Sequence, residues 1–171
     1  MSYLTVLLNS SHKKREFNCE KKLFDSYLQK QAKQDVQKHL SACFIIATLK
    51  NEVKGYYTLS NASIKRELIP ENLRKKFPST YIDLPVTLLG RLARDKKYAG
   101  ERIGELLLLD ALKRSYDASL TIGSIAVVVD PIDGGAKKFY LKYGFIELPD
   151  SKKMFITIKT ISELFKSQDN R

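Results

Sequence analysis

The pattern of apolar and polar residues predicts a strand, a loop and a helix in the middle of the chain. Leu84–Leu92 is a mostly apolar run of the kind found in a largely buried strand. Ile103–Tyr116 has an apolar side at helical spacing, and its opposite side carries Asp110, Lys113, Arg114 and Asp117. The intervening loop, Lys97–Gly104, precedes a helix N-terminus, where unpaired N–H groups and the helix dipole favour an anion. The pattern predicts a backbone anion site there, although such glycine spacings also occur in ordinary strand–loop–helix connections.

A second strand and helix follow. Ser124–Val129 is β-branched and apolar, which predicts a buried strand that stops at Asp130-Pro131. The segment from Asp133 to Phe145 predicts a short helix, with Gly144 as the residue just beyond its C-terminus.

The remaining periodicity predicts a mixed α/β order of elements in one domain over residues 1–171, without repeats or linkers. The additional elements are a strand over Met1–Asn9, a helix over Lys22–His39, a strand over Cys43–Leu49, a turn at Asn51 and Glu52, a hairpin partner over Gly55–Leu59, a strand over Phe155–Ile158 and a short helix over Ser162–Phe165 that frays afterwards. Asn61–Tyr81 is the least regular segment, carries several basic residues and is the expected point of contact with a substrate.

Composition narrows the classes of partner. The chain has 30 Lys and Arg against 19 Asp and Glu, a formal charge of +11, which favours acidic partners such as nucleic acid or CoA phosphates; a soluble basic surface is the alternative. No stretch approaches the ~18 apolar residues of a membrane span, and Met1–Asn9 lacks the features of a signal peptide. We therefore expect a cytoplasmic protein without membrane contact. Cys19 and Cys43 have no metal-ligand spacing to a histidine, so neither a disulfide framework nor a metal site is expected.

Together these segments resemble the Gcn5-related N-acetyltransferase family. The general resemblance rests on the strand, phosphate-type loop and leucine-rich helix, followed by a strand and the Phe-Tyr-x-x-x-Gly-Phe pattern of Phe139–Phe145. The chain is most similar to the bacterial toxin branch, whose members modify aminoacyl-tRNA and are paired with an antitoxin. That narrower resemblance covers roughly residues 14 to 161 and rests on Phe17-Asn18-Cys19 with Leu23, Asp25 and Tyr27-Leu28, on Leu89–Ala93 and on Phe139–Pro149.

The resemblance implies acetyl-CoA as the acetyl donor. The family's pyrophosphate loop has Arg or Gln, then two residues, Gly, one residue and Gly or Ala; here Lys97, Gly100 and Arg102 take those places. Lys97 keeps a positive charge, whereas Arg102 adds bulk where the family is small, and with a negative φ its side chain would point away. The strand residues implied to pair with the pantetheine arm, and the loop residues implied to hold the pyrophosphate, are Leu92, Ala93, Arg94, Lys97, Tyr98, Ala99, Gly100, Glu101, Arg102, Ile103 and Gly104.

Tyr140 matches the tyrosine of the family's Phe-Tyr pattern, which implies a proton donor to the departing CoA thiolate. A phenol with a pKa near ~10 is protonated at neutral pH and can protonate a thiolate of comparable basicity. A packed aromatic is the alternative for Tyr140, and Tyr143 is expected to be structural. Asp133 stands where the family often has Asn, so no cofactor contact is assigned to it.

The acceptor is expected to be a free amine. An α-amino group has a pKa of about 8, so a strong general base is dispensable, and His12 and His39 are expected to be surface or structural residues. A backbone N–H near Ala93 or Arg94 is expected to stabilise the oxyanion. The basic residues expected to contact the substrate, each of which is also explained as an ordinary surface charge, are Arg91, Lys33, Arg74, Lys75 and Lys76.

Three functions from different classes remain open on the sequence. The first is an acetyl-CoA-dependent toxin that acetylates the α-amine of aminoacyl-tRNA, with a ribbon-helix-helix antitoxin as partner and a homodimeric state. The second is an acetyltransferase of a peptide or small amine without a toxin role. The third is an inactive RNA-binding or regulatory module, which the departure at Arg102 favours.

Overall fold

A computed structural model describes residues 2–169, which form a sheet of seven strands with helices, the mixed α/β class predicted. The strands are β1 (Val6–Leu7), β2 (Ala42–Ala47), β3 (Val53–Lys65), β4 (Asp83–Arg94), β5 (Ala126–Val129), β6 (Ile146–Glu147) and β7 (Met154–Thr157). The helices are α1 (Lys22–Lys30), α2 (Ala32–Gln37), α3 (Glu71–Arg74), α4 (Ile103–Ser119), α5 (Gly134–Lys142) and α6 (Ile158–Asp169). Short 3₁₀ turns lie at Arg66–Leu68 and Lys96–Tyr98. None of the helices within residues 2–169 is long and apolar enough to span a bilayer.

The strand order is β1-β2-β3-β4-β5-β7-β6. β4 and β5 pair in parallel, with Thr87 opposite Val127 and Leu88 opposite Val128. The pairs β1–β2, β2–β3, β5–β7 and β6–β7 are antiparallel.

The chain falls into two compact units, and β3 and β4 contribute residues to both. One unit is Met1–Ser60 with Leu89–Arg114, and the other is Asn61–Leu88 with Ser115–Arg171. The first has a buried core of Leu8, Phe17, Tyr27, Leu28, Ala32, Cys43, Ile45, Val53, Tyr56 and Ala93. The second has a core of Ile64, Ile69, Leu84, Val86, Ala126, Val128, Leu148 and Phe155. The single domain over residues 1–171 stays a prediction, and Met1, Asn170 and Arg171 lie outside the described residues.

Several predicted boundaries were wrong for identifiable reasons. The helix predicted over Lys22–His39 is two helices, because the backbone leaves helical geometry at Gln31, with φ −122°. The strand predicted over Met1–Asn9 is reduced to β1. β3 continues to Lys65, into the segment predicted as irregular, because Ala62 and Ile64 still alternate with exposed polar residues.

The C-terminal elements also differ from the prediction. The short strand β6 was not predicted, and the last helix begins at Ile158, where the sequence indicated the end of a strand. Thr157 explains the early start, because its hydroxyl accepts the N–H of Thr160 at 3.1 Å in the manner of an N-cap.

Asp110 of α4 is buried, which corrects its assignment to the solvent side of that helix. Its side chain accepts hydrogen bonds from the Leu4 N–H at 2.7 Å, the Thr5 hydroxyl at 2.5 Å and the Tyr57 hydroxyl at 2.7 Å. Arg114, one turn later, lies 3.4 Å from the same carboxylate and donates to the Thr5 carbonyl at 2.8 Å. The N-terminal segment therefore covers a side of α4 that periodicity alone assigns to water.

We expect Asp110→Ala to lower the free energy of unfolding by about 3 kcal/mol or more, because three donors and the Arg114 charge lose their acceptor in a buried place. Urea unfolding measures this loss. Glu163→Ala, at an exposed position of α6, is the control and should change stability by less than about 0.5 kcal/mol. Equal stability of the two variants would contradict the role assigned to Asp110.

Candidate functional site

The loop after β4 is held in place by Asp95, whose side chain is only 2% exposed. One carboxylate oxygen accepts the N–H of Lys97 at 2.8 Å and the other accepts the N–H of Asn18 at 3.0 Å. The backbone adds two bonds, from the Asp95 N–H to the Lys54 carbonyl and from the Lys96 N–H to the Asn18 carbonyl, both 2.9 Å. Asp95 thus caps the 3₁₀ turn Lys96–Tyr98 and ties the start of the predicted phosphate loop to two other segments.

The loop then turns through two residues with left-handed backbone geometry. Gly100 has φ +87° and Arg102 has φ +56°. The negative φ considered for Arg102 is therefore not adopted, and its Cβ is disfavoured in this geometry. The Arg102 side chain is mostly exposed and pairs with Glu105 at 2.6 Å.

The bend places the start of α4 directly after it. The Arg102 carbonyl accepts the N–H of Leu106 at 3.0 Å, so the helix begins at Ile103. Within the described part of the chain, the N–H groups of Ile103 and Gly104 have no hydrogen-bond acceptor. Nothing lies within 4 Å of a Cβ added at Gly100, so the space beside the bend is open. N–H groups without an acceptor at a helix N-terminus beside open space suit a phosphate group.

Close packing at this helix start depends on Gly55 of β3. A Cβ added at Gly55 would lie 2.8 Å from a methyl group of Leu107 and 2.9 Å from the Ala93 carbonyl. Gly55 therefore lets the first turn of α4 approach the sheet. The pattern of the sequence did not indicate this role for Gly55.

Charged side chains surround the loop. Lys54 forms an ion pair with Glu101 and lies 4.8 Å from the centre of the Tyr98 ring. Lys97 is exposed, with Glu16 4.0 Å away, the limit of an ion pair. A cavity of about 300 Å³ adjoins these residues and is lined by Lys13, Arg15, Glu16, Phe17, Glu52, Val53, Asp95, Lys97 and Tyr98. The loop side of this unit therefore presents positive and negative groups in equal number, and Lys13, Arg15 and Lys97 are the positive ones that line the cavity.

Tyr140 lies in the second unit, on α5. It is 7% exposed, its ring contacts Phe139 and Phe145 at centroid distances of 5.3 and 5.1 Å, and burial raises its pKa. Its hydroxyl has no hydrogen-bond partner among residues 2–169. The side chain is thus a protonated phenol at neutral pH with its proton uncommitted. Asp133 is the N-cap of α5 and accepts the Ala136 N–H at 2.8 Å, and Gly144 has φ +89°, as predicted for the residue after the helix.

The basic residues predicted to bind a substrate are divided between the units. In the first, Lys33 is exposed on α2, and the guanidinium of Arg91 on β4 lies 3.5 Å from the centre of the Tyr27 ring. In the second, Arg74 donates to the carbonyls of Ile69 and Glu67, so its charge holds the local loop together. Lys75 pairs with Glu71 at 3.5 Å, and Lys76 is exposed.

Sequence comparison decides the family. The chain is 34% identical over 121 residues to a tRNA-acetylating toxin of Mycobacterium tuberculosis, a match that spans 71% of this chain and 70% of that protein. It is also 30% identical over 120 residues to the probable toxin TacT of Sinorhizobium fredii, spanning 66% of each. The chain belongs to the acetyltransferase toxins of the Gcn5-related N-acetyltransferase family. None of the general protein-family profiles matches it.

Solved structures of related toxins have the same fold. AtaT complexed with acetyl-methionyl-tRNAfMet is 26% identical, with a TM-score of 0.87 over 96% of this chain and 99% of the other. AtaTR bound with AcCoA is 26% identical, with a TM-score of 0.82 over 94% of this chain and 96% of the other. The AtaT–AtaR complex bound to DNA is 25% identical, with a TM-score of 0.76 over 94% of this chain and 98% of the other.

In this acetyltransferase toxin, sequence analysis missed the residues that support the loop. Asn18 was noted only as part of a family pattern, and Asp95 was passed over. A signal for Asp95 was present, because an Asp that directly follows a strand and precedes a short turn is typical of a cap. The contact between Asp95 and Asn18 joins residues that are 77 positions apart, which no local pattern reveals.

We expect Arg102→Gly to be more stable than Arg102→Ala by about 1 kcal/mol, because only glycine adopts the left-handed geometry without a Cβ penalty. Both substitutions remove the ion pair with Glu105, so their difference isolates the backbone term. Urea unfolding of the two proteins measures it. An alanine variant as stable as the glycine variant would mean that residue 102 does not have the positive φ described.

Proposed function

We propose that this protein transfers an acetyl group from acetyl-CoA to the α-amino group of aminoacyl-tRNA and thereby blocks translation. The relationship to the tRNA-acetylating toxin of Mycobacterium tuberculosis carries the proposal. The left-handed bend at the start of α4, with open N–H groups, supports it because the donor has a pyrophosphate to be held.

The residues present fit acetyl-CoA. We assign the pyrophosphate to the loop over residues 97–104, where the N–H groups of Ile103 and Gly104 are open, space adjoins Gly100 and Lys97 adds a positive charge. We assign the pantetheine arm to the backbone of Leu92, Ala93 and Arg94 at the end of β4, in the manner of an added strand. Bound there, acetyl-CoA supplies an activated thioester carbonyl, and the N–H of Ala93 or Arg94 is the proposed donor to its oxygen.

Tyr140 is the proposed proton donor to the departing thiolate. Its uncommitted hydroxyl and its raised pKa support this role, since the phenol keeps its proton throughout the neutral range. The α-amine of the acceptor, with a pKa of about 8, reaches its neutral form without a strong base.

The proposed partners follow from the relatives. AtaT is complexed with AtaR on DNA, and we propose that this chain is likewise bound by an antitoxin, of the ribbon-helix-helix type, and that it forms a homodimer. We place the reaction in the cytoplasm, where charged tRNA and acetyl-CoA are available.

The proposal is tested with labelled acetyl-CoA and a mixture of charged tRNA, free amino acids and polyamines. We expect the label on the α-amine of aminoacyl-tRNA, released together with the amino acid after deacylation. Label confined to the small amines would replace the toxin function by an ordinary amine acetyltransferase, and no label on any acceptor would leave a binding module.

We expect Tyr140→Phe to lower kcat by at least about 100-fold, within the usual range for loss of a general acid. Tyr143→Phe, at the residue directly after α5, is the matched control and should stay within about threefold of the parent, since no transferred proton is assigned to it. A Tyr140→Phe enzyme as fast as Tyr143→Phe would exclude the proton-donor role.

The pH dependence separates the two titrating groups. The parent rate should rise through about pH 8 as the α-amine loses its proton, and then level off. Because burial raises the pKa of Tyr140, the phenol stays protonated and causes no fall in rate before about pH 10. A fall below that pH that disappears in Tyr140→Phe would contradict the assignment.

A further inference from the structure

The guanidinium of Arg91 is fixed in position but has no anionic partner. It is half-buried, and its central carbon lies 3.5 Å from the centre of the Tyr27 ring. Among residues 2–169 it makes no hydrogen bond and no ion pair. A partly buried charge without a partner is costly, and five N–H donors remain at the edge of the stacked plane.

Tyr27 is itself held rigidly, so the platform under Arg91 is not free to move. Its hydroxyl donates to the Asp35 carboxylate of α2 at 2.9 Å, and its ring stacks on Tyr56 at a centroid distance of 6.4 Å. The ring is 4% exposed. Asp35 therefore accepts the hydrogen bond of the Tyr27 hydroxyl and forms no ion pair with Arg91. An arginine stacked on an aromatic face keeps its planar fork available for two parallel bonds to a phosphate or carboxylate.

Further positive charge lies on the same unit. Burial raises the pKa of the Cys43 thiol to about 12, and the positive charges of Lys14 and Arg91 act against that rise, so both cations are close enough to influence this buried group. Lys14 and Lys33 line a cavity of about 440 Å³ with Asn9, Ser10, His12 and Gln37. This unit therefore carries positive charge in addition to that of Arg91.

The position of Arg91 on β4 separates it from the proposed pyrophosphate site. On the proposed function, which this inference takes as its basis, the pyrophosphate is at residues 97–104 and the pantetheine arm runs back along Arg94 to Leu92. Arg91 comes next along the strand, beyond the thioester end of the arm. The anion nearest to an acceptor amine at that point is the phosphodiester that joins the terminal nucleotide of the tRNA to its neighbour.

We propose that Arg91, stacked on Tyr27, binds a phosphodiester at the 3′ end of the aminoacyl-tRNA and positions the α-amine for attack. Tyr27 is the positioning residue, since it acts through the guanidinium. The site recognises phosphate, which both the tRNA and CoA contain, so the test separates the two sources.

The test compares Arg91→Ala and Arg91→Lys with Lys166→Gln, an exposed substitution on α6 that also removes one charge. Dissociation constants are measured for uncharged tRNA, for the same tRNA without its 3′-terminal CCA, and for acetyl-CoA, over about 50 to 200 mM salt. For intact tRNA we expect Arg91→Ala to bind about 10-fold more weakly than Lys166→Gln, and its salt slope to be smaller by about 0.7 to 0.9. Arg91→Lys should keep the slope but lose part of the affinity, because an ammonium retains the charge without the planar fork.

The measurements with truncated tRNA and with acetyl-CoA show whether the phosphate that Arg91 binds belongs to the 3′ end of the tRNA or to CoA. The loss of tRNA affinity in Arg91→Ala should vanish on tRNA without CCA. Its affinity for acetyl-CoA should stay within about twofold of the parent, since Arg91 is not assigned to any phosphate of CoA. A deficit that persists on the truncated tRNA, an effect on acetyl-CoA instead, or a slope equal to that of Lys166→Gln would each overturn the inference. A correctly folded Arg91→Lys protein keeps the test valid if Arg91→Ala unfolds.

Tyr27 provides an independent check. Tyr27→Phe keeps the aromatic face and should bind tRNA nearly as the parent does, whereas Tyr27→Leu should reproduce the Arg91→Ala deficit. Equal affinity of the two Tyr27 variants would contradict the platform role. These binding measurements do not require catalysis, so a protein that binds tRNA through Arg91 yet acetylates no aminoacyl-tRNA would refute the proposed function and leave only the phosphate contact of Arg91 standing.

Discussion

The loop after β4 depends on the buried carboxylate of Asp95. Two segments distant in sequence, the stretch around Asn18 and the loop that begins at Lys97, both donate N–H groups to it. A carboxylate with two backbone donors is a strong anchor, and hydrogen bonds to a charged group stabilise more than neutral ones. The direction in which the chain leaves β4, and therefore the start of α4, is fixed by this one side chain.

The backbone strain of this loop lies at Arg102, which has a positive φ. A left-handed arginine is strained relative to glycine, and this bend leads directly into α4, whose first N–H groups have no acceptors. Lys54 of β3 stabilises the bend through an ion pair with Glu101 and a cation–π contact with the Tyr98 ring. The departure from the family pattern at residue 102 therefore carries a conformational cost within the loop.

Local signals in the sequence were sufficient for some elements and insufficient for others. Helix α5, its Asp133 cap and the positive φ of Gly144 follow from short-range patterns, as does the start of α4 at Ile103. The burial of Asp110 does not, because its partners Leu4, Thr5 and Tyr57 lie 53 to 106 positions away in sequence. The break at Gln31 was not predicted either. The same holds for the site: the loop residues carry a recognisable pattern, whereas the Arg91–Tyr27 stack joins residues 91 and 27, which no periodicity connects.

Hydrogen exchange with and without acetyl-CoA tests the central claim, that the bend beside α4 holds the pyrophosphate on open backbone N–H groups. The account predicts that the amides of Ile103 and Gly104, which have no acceptor in the free protein, exchange at least about tenfold more slowly when acetyl-CoA is bound, while amides of α6 are unchanged. Saturating acetyl-CoA that leaves the exchange of Ile103 and Gly104 unaltered would contradict it.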